Sequence, residues 1–262
     1  MKLKIFQIDA FADKVFSGNP AAVCIMDSWL DTSLMQQIAA ENNLAETAFV
    51  VKDRSQYHIR WFTPEIEVDL CGHATLASAF VLFNHYITDT ETIDFYSPRS
   101  GPLTVEKGVD GYYVMDFPVD DLQNVESMSE LNDALGKKPE QTFKGKTDYL
   151  LIYDSQKTIE EITPNFFLLD KVDARGVIVS ARGEDVDFVS RFFAPQSGIM
   201  EDPVTGSAHT TLTPYWSKVL DKNKLSAKQL SQRGGNLVCE NLGKRVKISG
   251  KAVSYLEGEI KL

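Results

Sequence analysis

The chain has 262 residues, enough for one large domain or two ordinary ones, each able to bury a core. Its 27 Lys+Arg against 37 Asp+Glu leave a net charge of −10 with no basic patch, which argues against a nucleic-acid partner, and no apolar run is long enough to span a bilayer. A hydrophobic content of 43% with 24% charged residues is ordinary for a soluble globular chain, so an anionic ligand would have to be met by local positive potential.

In chain order, "MKLKIFQIDAF" alternates apolar and polar residues without a small-residue cleavage site, so it reads as a first strand and not as a signal peptide. Strand-like segments recur at "AAVCIM", "TAFVVK", "YHIRWF", "TIDFYS", "PLTVEK" and "GYYVMDF". Between them lie two helix candidates. "DTSLMQQIAAENN" is amphipathic, with Asp31 or Thr32 placed to cap it. "HATLASAFVLFNHY", from His73, is apolar nearly all round, which calls for a curved sheet or barrel wrapped about it. Proline and acids interrupt the pattern in "DFPVDDLQNVESMSE", ahead of a short helix candidate at Ser129 to Leu135.

The second half repeats the first. Laying "YHIRWFTP" on "DFVSRFFAP" puts Arg60 on Arg191 and Pro64 on Pro195, an offset of 131 residues. With small shifts "AVCIMDS" then falls near "LLIYDS", "LDTSLMQQIAAENN" near "TPNFFLLDKVDA", "AETAFVV" on "ARGVIVS" and "GHATL" near "GSAHTTL". The period is too long for a solenoid, so the expectation is an α+β chain of two pseudo-symmetric lobes with a cleft between them. The lobes are placed at residues 1–118 and 119–262, and the final strands "RVKISG" and "AVSYLEGEI" are free to cross back and complete the first.

Chemistry-bearing residues concentrate where the two halves match. Gly72 and Gly206 each precede a helix, where a residue without Cβ lets a ligand approach free N–H groups. Either glycine alone is better explained by a tight turn. As a pair, two helix N-termini would hold an anion without cations. His73 and Ser207 follow these glycines, one titrating near neutrality and one a hydroxyl donor or a simple cap. Asp202 stands before Pro203, where acids commonly begin turns. Glu46 lies between a helix end and an apolar strand, where a carboxylate loses water and can be tuned for proton transfer. Its counterpart in the other half is Arg175 or a neighbour, not an acid. The alternative is a glutamate facing solvent at a strand start.

Three cysteines (Cys24, Cys71, Cys239) without CxxC spacing indicate neither a disulfide framework nor a zinc site, and the reducing cytoplasm is the expected compartment. Cys71 precedes Gly72 and invites a two-thiol racemase mechanism. The matching position holds Thr205, which favours reading Cys71 as a small buried filler. His58, His73, His85 and His209 show no HExxH or similar spacing, so no metal and no cofactor are expected.

"DAFADKVFSGNPAAV", "NLAETAFV", "RWFTPEIEVDLCGHATLA" and "FFAPQSGIMEDPVTGSAHTTL", in that order, resemble the PhzF-like family of phenazine-biosynthesis isomerases, over essentially the whole chain. The resemblance implies a diaminopimelate epimerase-like fold, a possible homodimer and cofactor-independent isomerisation of a small carboxylate-bearing substrate. It makes Glu46 the proton shuttle, with His73, Asp202 and Ser207 binding substrate and assisting. Ala74 stands where phenazine-producing members tend to have proline after the Gly-His pair, which leaves the substrate open. An amino acid racemase using Cys71 and a non-catalytic small-acid binding protein are the competing expectations.

Overall fold

A computed structural model describes the whole chain, Met1–Leu262. Its strands gather into two compact units, Met1–Asp116 with Ser249–Leu262, and Phe117–Ile248. In the first, β1 (Lys2–Ala10) and β2 (Asn19–Met26) pair antiparallel, Phe6 opposite Val23 and Ala10 opposite Asn19. Helix α1 (Thr32–Asn42) then carries the chain to β3 (Glu46–Asp53), which runs parallel to β2 with Glu46 opposite Ala21. Asn43 ends α1 in the left-handed conformation, φ 49°, which asparagine tolerates. Asp31 occupies the N-cap position but makes no side-chain cap bond.

Strand β4 (Gln56–Phe62) returns antiparallel to β3 and pairs with the short β5 (Glu67–Val68). Helix α2 (Gly72–His85) crosses to β6 (Thr92–Ser97), parallel to β4, and β7 (Gly101–Lys107) and β8 (Tyr113–Pro118) follow as antiparallel neighbours. Every residue of α2 from His73 to Ala79 is buried. The hydroxyls of Thr75 and Ser78 tolerate this by donating to the carbonyls of Cys71 and Ala74, at 2.6 and 2.7 Å. Helix α2 packs against β1, β2 and β3, while Met35 and Ile38 of α1 cover the other side with Phe49 and Phe62. With apolar helices on both faces, β3 is buried from Glu46 to Val51, which explains why "AETAFVV" runs apolar instead of alternating.

The second unit repeats this order of joins. After β9 (Gln123–Val125) and α3 (Ser129–Leu135), β10 (Gln141–Lys144) pairs antiparallel with both β9 and β11 (Asp148–Ile152). The crossover to β12 (Gly176–Arg182), parallel to β11, holds two short helices, α4 (Gln156–Glu161) and α5 (Phe166–Leu169), where α1 is a single helix in the first unit. Pro164 separates them because it has no N–H to continue α4, and the Asn165 side chain caps α5 by accepting from Leu168 N–H at 3.2 Å. Strand β13 (Phe188–Phe193) is antiparallel to β12, α6 (Gly206–Leu220) crosses to β14 (Lys224–Gln229), parallel to β13, and β15 (Gly235–Asn241) pairs antiparallel with β14.

After β16 (Arg245–Gly250) the chain ends in β17 (Ala252–Lys261), which lies antiparallel to β1 from Lys2 opposite Lys261 to Ala10 opposite Ala252. Of the two alternatives raised by the sequence, a curved open sheet or a closed barrel, the chain takes the open sheet. No helix is long and apolar enough to cross a membrane.

The repeated Arg-aromatic-Phe-x-Pro segments do the same work in both units. Arg60 on β4 makes a bidentate pair with Glu67, at 2.7 and 2.8 Å, above the Phe62 ring. Arg191 on β13 does so with Glu201, at 2.7 and 3.0 Å, above the Phe193 ring. Arg191 Nη1 also donates to the carbonyls of Ile159 and Ile162, tying down the end of α4. These arginines are anchors for loops and are fully engaged in doing so. Arg191→Met is therefore expected to lower stability by about 3 kcal/mol, since it strands a partly buried carboxylate and two carbonyls. R191M/E201M should recover part of that loss in urea unfolding, and an unchanged midpoint in R191M would contradict this account.

Candidate active site

The loop between β1 and β2, "FADKVFSGN", is held from within. Asp9 accepts from the Phe16 N–H at 2.9 Å, and Gly18 turns the chain at φ +68°, where an added Cβ would lie 2.1 Å from the Ala10 carbonyl oxygen. The loop delivers Asn19 to the start of β2. Its side-chain nitrogen lies 3.2 Å from Nδ1 of His73, the second residue of α2. On the other side of the ring, His73 Nε2 is 3.0 Å from Glu46 Oε2, and both side chains are nearly closed off from solvent. Cys71, the N-cap residue of α2, sets its sulfur 3.5 Å from Nδ1 and 3.9 Å from Nε2 of the same imidazole. Glu46, Cys71 and His73 thus bring three potential metal-ligating atoms within 4.8 Å of one another.

Burial disfavours a charged His73, but the Cys71 sulfur and the Glu46 carboxylate outweigh it and hold the imidazole well above its usual range. Burial, followed by the Glu46 charge, pushes the Cys71 thiol up to about 11. The thiol is therefore protonated at neutral pH.

In the second unit the matching elements carry different chemistry. Strand register gives the correspondence: Phe49 faces Arg60 as Val179 faces Arg191, and Thr47 faces Phe62 as Val177 faces Phe193. Glu46 therefore corresponds to Gly176, with Arg175 one residue ahead. A Cβ at Gly176 would lie 2.2 Å from the Phe192 ring, so the space a side chain would need is filled. Ala21, opposite Glu46, corresponds to Asp148, opposite Gly176. Asp148 is buried and takes Arg175 in a bidentate pair, with Nε to Oδ1 at 2.8 Å, and Arg175 Nη2 also donates to Ser207 Oγ at 3.0 Å. Arg175, Asp148, Ser207, Lys146 and Asp120 line a pocket of about 180 Å³.

Ser207 does not cap its helix; its hydroxyl faces Arg175 and its carbonyl accepts from Thr210 Oγ1 at 2.7 Å. Asp202 is buried, and its carboxylate accepts the hydroxyl of Thr205, the N-cap residue of α6. Gln229, wholly buried at the end of β14, fastens this turn by accepting from Thr205 N–H at 2.9 Å and donating to the Asp202 carbonyl at 2.7 Å. Neither α2 nor α6 has a side-chain cap at its start, where Gly72 and Gly206 stand. Inside α6, Pro214 leaves the Thr210 carbonyl without its helical donor, and Asp120 N–H takes that place at 3.4 Å while the Asp120 carboxylate accepts from Thr211 at 3.0 Å.

Reasoning from sequence missed Asn19, Arg175, Asp148 and Gln229 as partners of the site residues. Asn19 and Arg175 lay inside motifs it had marked; nothing local marked Asp148 or Gln229. His209, the histidine of "GSAH", is a packing residue: Nδ1–H donates to the Thr205 carbonyl at 2.8 Å, Nε2 is buried without a partner, and the ring lies against Phe188.

In this α+β fold a buried carboxylate and a buried imidazole are thus in contact at a helix start. The model of the PhzC-PhzF family, phenazine biosynthesis-like proteins, matches residues 8–258, and the chain belongs to that family. An uncharacterized isomerase of Pseudomonas aeruginosa is 50% identical over 262 residues, covering all of both chains. The crystal structure of a PhzF-family phenazine biosynthesis protein from Enterococcus faecalis superposes with a TM-score of 0.97 at 49% identity, again over both whole chains. A hydroxyproline epimerase from Agrobacterium vitis shares the fold alone, with a TM-score of 0.62 at 8% identity over 99% of this chain and 92% of that one. The protein is an isomerase of the PhzF kind.

Burial lowers the His209 pKa from 6.5 to about 4. The unfolded chain thus takes up a proton here before the folded one does. The stability contributed is present above pH 6.5 and is lost as the pH falls toward 4, by about 1.4 kcal/mol per unit. His209→Phe is expected to flatten the fall in urea-unfolding free energy between pH 6.5 and 5 by about that slope. An equally steep fall in the variant would refute the neutral, structural assignment.

Proposed function

We propose that the protein isomerises a small carboxylate-bearing compound, cyclic or derived from an amino acid, by removing a proton from an acidified carbon with Glu46 and returning it to another position. The observation that carries this reading is the contact of Glu46 with His73 in one unit, set against a second unit whose matching position, Gly176, has its side-chain space taken by Phe192. One base that can both take and give a proton suits a shift along the same face of a molecule, whereas a racemase needs bases on two faces. His73, beside the carboxylate, supplies a ring N–H donor next to the developing negative charge.

The two-thiol alternative is weakened by three observations. The Cys71 thiol is pushed up to about 11, its counterpart Thr205 is hydrogen-bonded to Asp202, and Cys24 and Cys239 are buried in strands. The roles of Asp202 and Ser207 in binding substrate rest on the family resemblance, as do turnover without a cofactor, a cytoplasmic location and a homodimer. Arg175 adds a constraint on Ser207. Its N–H occupies a lone pair of Oγ, so the Ser207 hydroxyl is left to donate to a ligand.

Glu46→Gln should fold and bind normally while slowing turnover by a factor on the order of 10² to 10⁴, read as solvent-deuterium incorporation across a panel of small carboxylic acids. Wild-type exchange by that variant would remove Glu46 as the base. Cys71→Ala should keep its activity; complete loss would return the thiol mechanism. Binding seen across the panel without any exchange would favour a binding protein.

The uncapped start of α2 at Gly72 and that of α6 at Gly206 are each proposed to offer N–H groups, with a partial positive charge of about half a unit, to a carboxylate. Gly206→Val should then abolish binding of the acid in calorimetry. Arg60→Met should leave affinity intact, because Arg60 is already committed to Glu67. The reverse pattern would show that cations hold the substrate.

A further inference from the structure

We propose that Glu46, Cys71 and His73 form a binding site for a soft divalent cation, zinc above all, and that metal binding and proton transfer at this site exclude each other. The inference shares residues with the proposed isomerase site, but the binding itself does not depend on turnover. A carboxylate, an imidazole and a thiol are the three ligand types of zinc sites that keep a fourth position open. All three residues here are buried and held by secondary structure: Glu46 begins β3, Cys71 is the N-cap residue of α2 and His73 is its second residue.

The distances can be judged against tetrahedral geometry. Bond lengths of about 2.3 Å to sulfur and about 2.0 to 2.2 Å to nitrogen and oxygen place ligand atoms about 3.4 Å apart for N and O, and about 3.6 Å apart for S with either. In this protein Nε2 and the Glu46 oxygen are 3.0 Å apart, Nε2 and the Cys71 sulfur 3.9 Å, and all three ligand atoms lie within 4.8 Å. Two edges need a change of only a few tenths of an ångström. The third closes by at most about 1.2 Å.

The surroundings also suit a metal. A metal-binding histidine is fixed by a hydrogen bond from its other ring nitrogen, and Asn19 is in place beside Nδ1 at 3.2 Å; a half-turn of its amide puts the carbonyl oxygen toward an Nδ1–H. On binding, Cys71 loses its thiol proton and His73 its Nε2 proton, both released to solvent, while the metal takes a sulfur lone pair, a nitrogen lone pair and a carboxylate lone pair. The lone pair with which Glu46 would take a substrate proton is then in use.

Cobalt(II) serves as the probe, because thiolate ligation gives it a sulfur-to-metal charge-transfer absorption. The apo protein is expected to bind one equivalent with that absorption, to lose it on adding zinc, and to release the Cys71 thiol proton on binding at neutral pH. Cys71→Ser should abolish the charge-transfer band, and Glu46→Gln should weaken cobalt affinity at least tenfold. No band at stoichiometric cobalt, or an undiminished band in Cys71→Ser, which would place the sulfur at Cys24 or Cys239, overturns the proposal. Zinc should also stop deuterium exchange in the wild type, with recovery on chelation. Cobalt binding in a protein that exchanges nothing keeps the metal site and sinks the isomerase reading; exchange in a protein blind to cobalt does the opposite.

Discussion

Helix α2 buries ten of its 14 residues and has almost no face to give to water, and α6 buries eight of its 15. An α-helix buried on all sides has to be wrapped, and a sheet wraps it only by curving and by passing the helix between two parallel strands. In the first unit α2 joins β4 to β6 in this way, and in the second α6 joins β13 to β14. The antiparallel hairpins on either side follow from short turns. Burial on both faces then explains the continuous apolar runs of β3 and β12, and the cost of leaving polar groups inside explains why Thr75, Ser78, Thr211 and Thr213 all hydrogen-bond within or beside their helices.

On this repeated scaffold the same positions carry different groups. Glu46 is matched by Gly176, His73 by Ser207, Cys71 by Thr205 and Ala21 by Asp148. In the first unit a negative side chain on the strand meets a titratable ring on the helix. In the second a guanidinium, pinned by a buried carboxylate, meets a hydroxyl. The packing residues changed less, as the Arg60–Glu67 and Arg191–Glu201 pairs above Phe62 and Phe193 show. Structural anchors must keep a shape, whereas reactive groups need only share an address.

The side chains of the candidate site are held by partners distant in the chain. Asn19 reaches His73 across 54 residues, Arg175 reaches Ser207 across 32 and Gln229 reaches Thr205 across 24. Such contacts fix a rotamer and a protonation state without adding bulk. Surroundings also separate the two helix histidines: His73, beside the Cys71 sulfur and the Glu46 carboxylate, is pushed up, whereas burial pushes His209 down to about 4.

The sequence by itself determined the duplication, the buried helix α2, the family and the residues at the helix starts. Each of those rests on local pattern: hydrophobic period, an Arg-aromatic-Phe-x-Pro repeat, or a glycine followed by His or Ser. What the tertiary structure decided is what each of those residues touches. Cys71 is buried, and α2 sets its sulfur beside His73, a contact no local pattern announces; His209 shared a motif with Ser207 yet points into the core, because two residues along a helix turn a side chain by about 200°. Pro164 broke into two helices what the repeat suggested was one. Asp148 and Gln229 carry no local mark at all, since a hydrogen bond between strands or across a turn depends on register and not on neighbours in the chain.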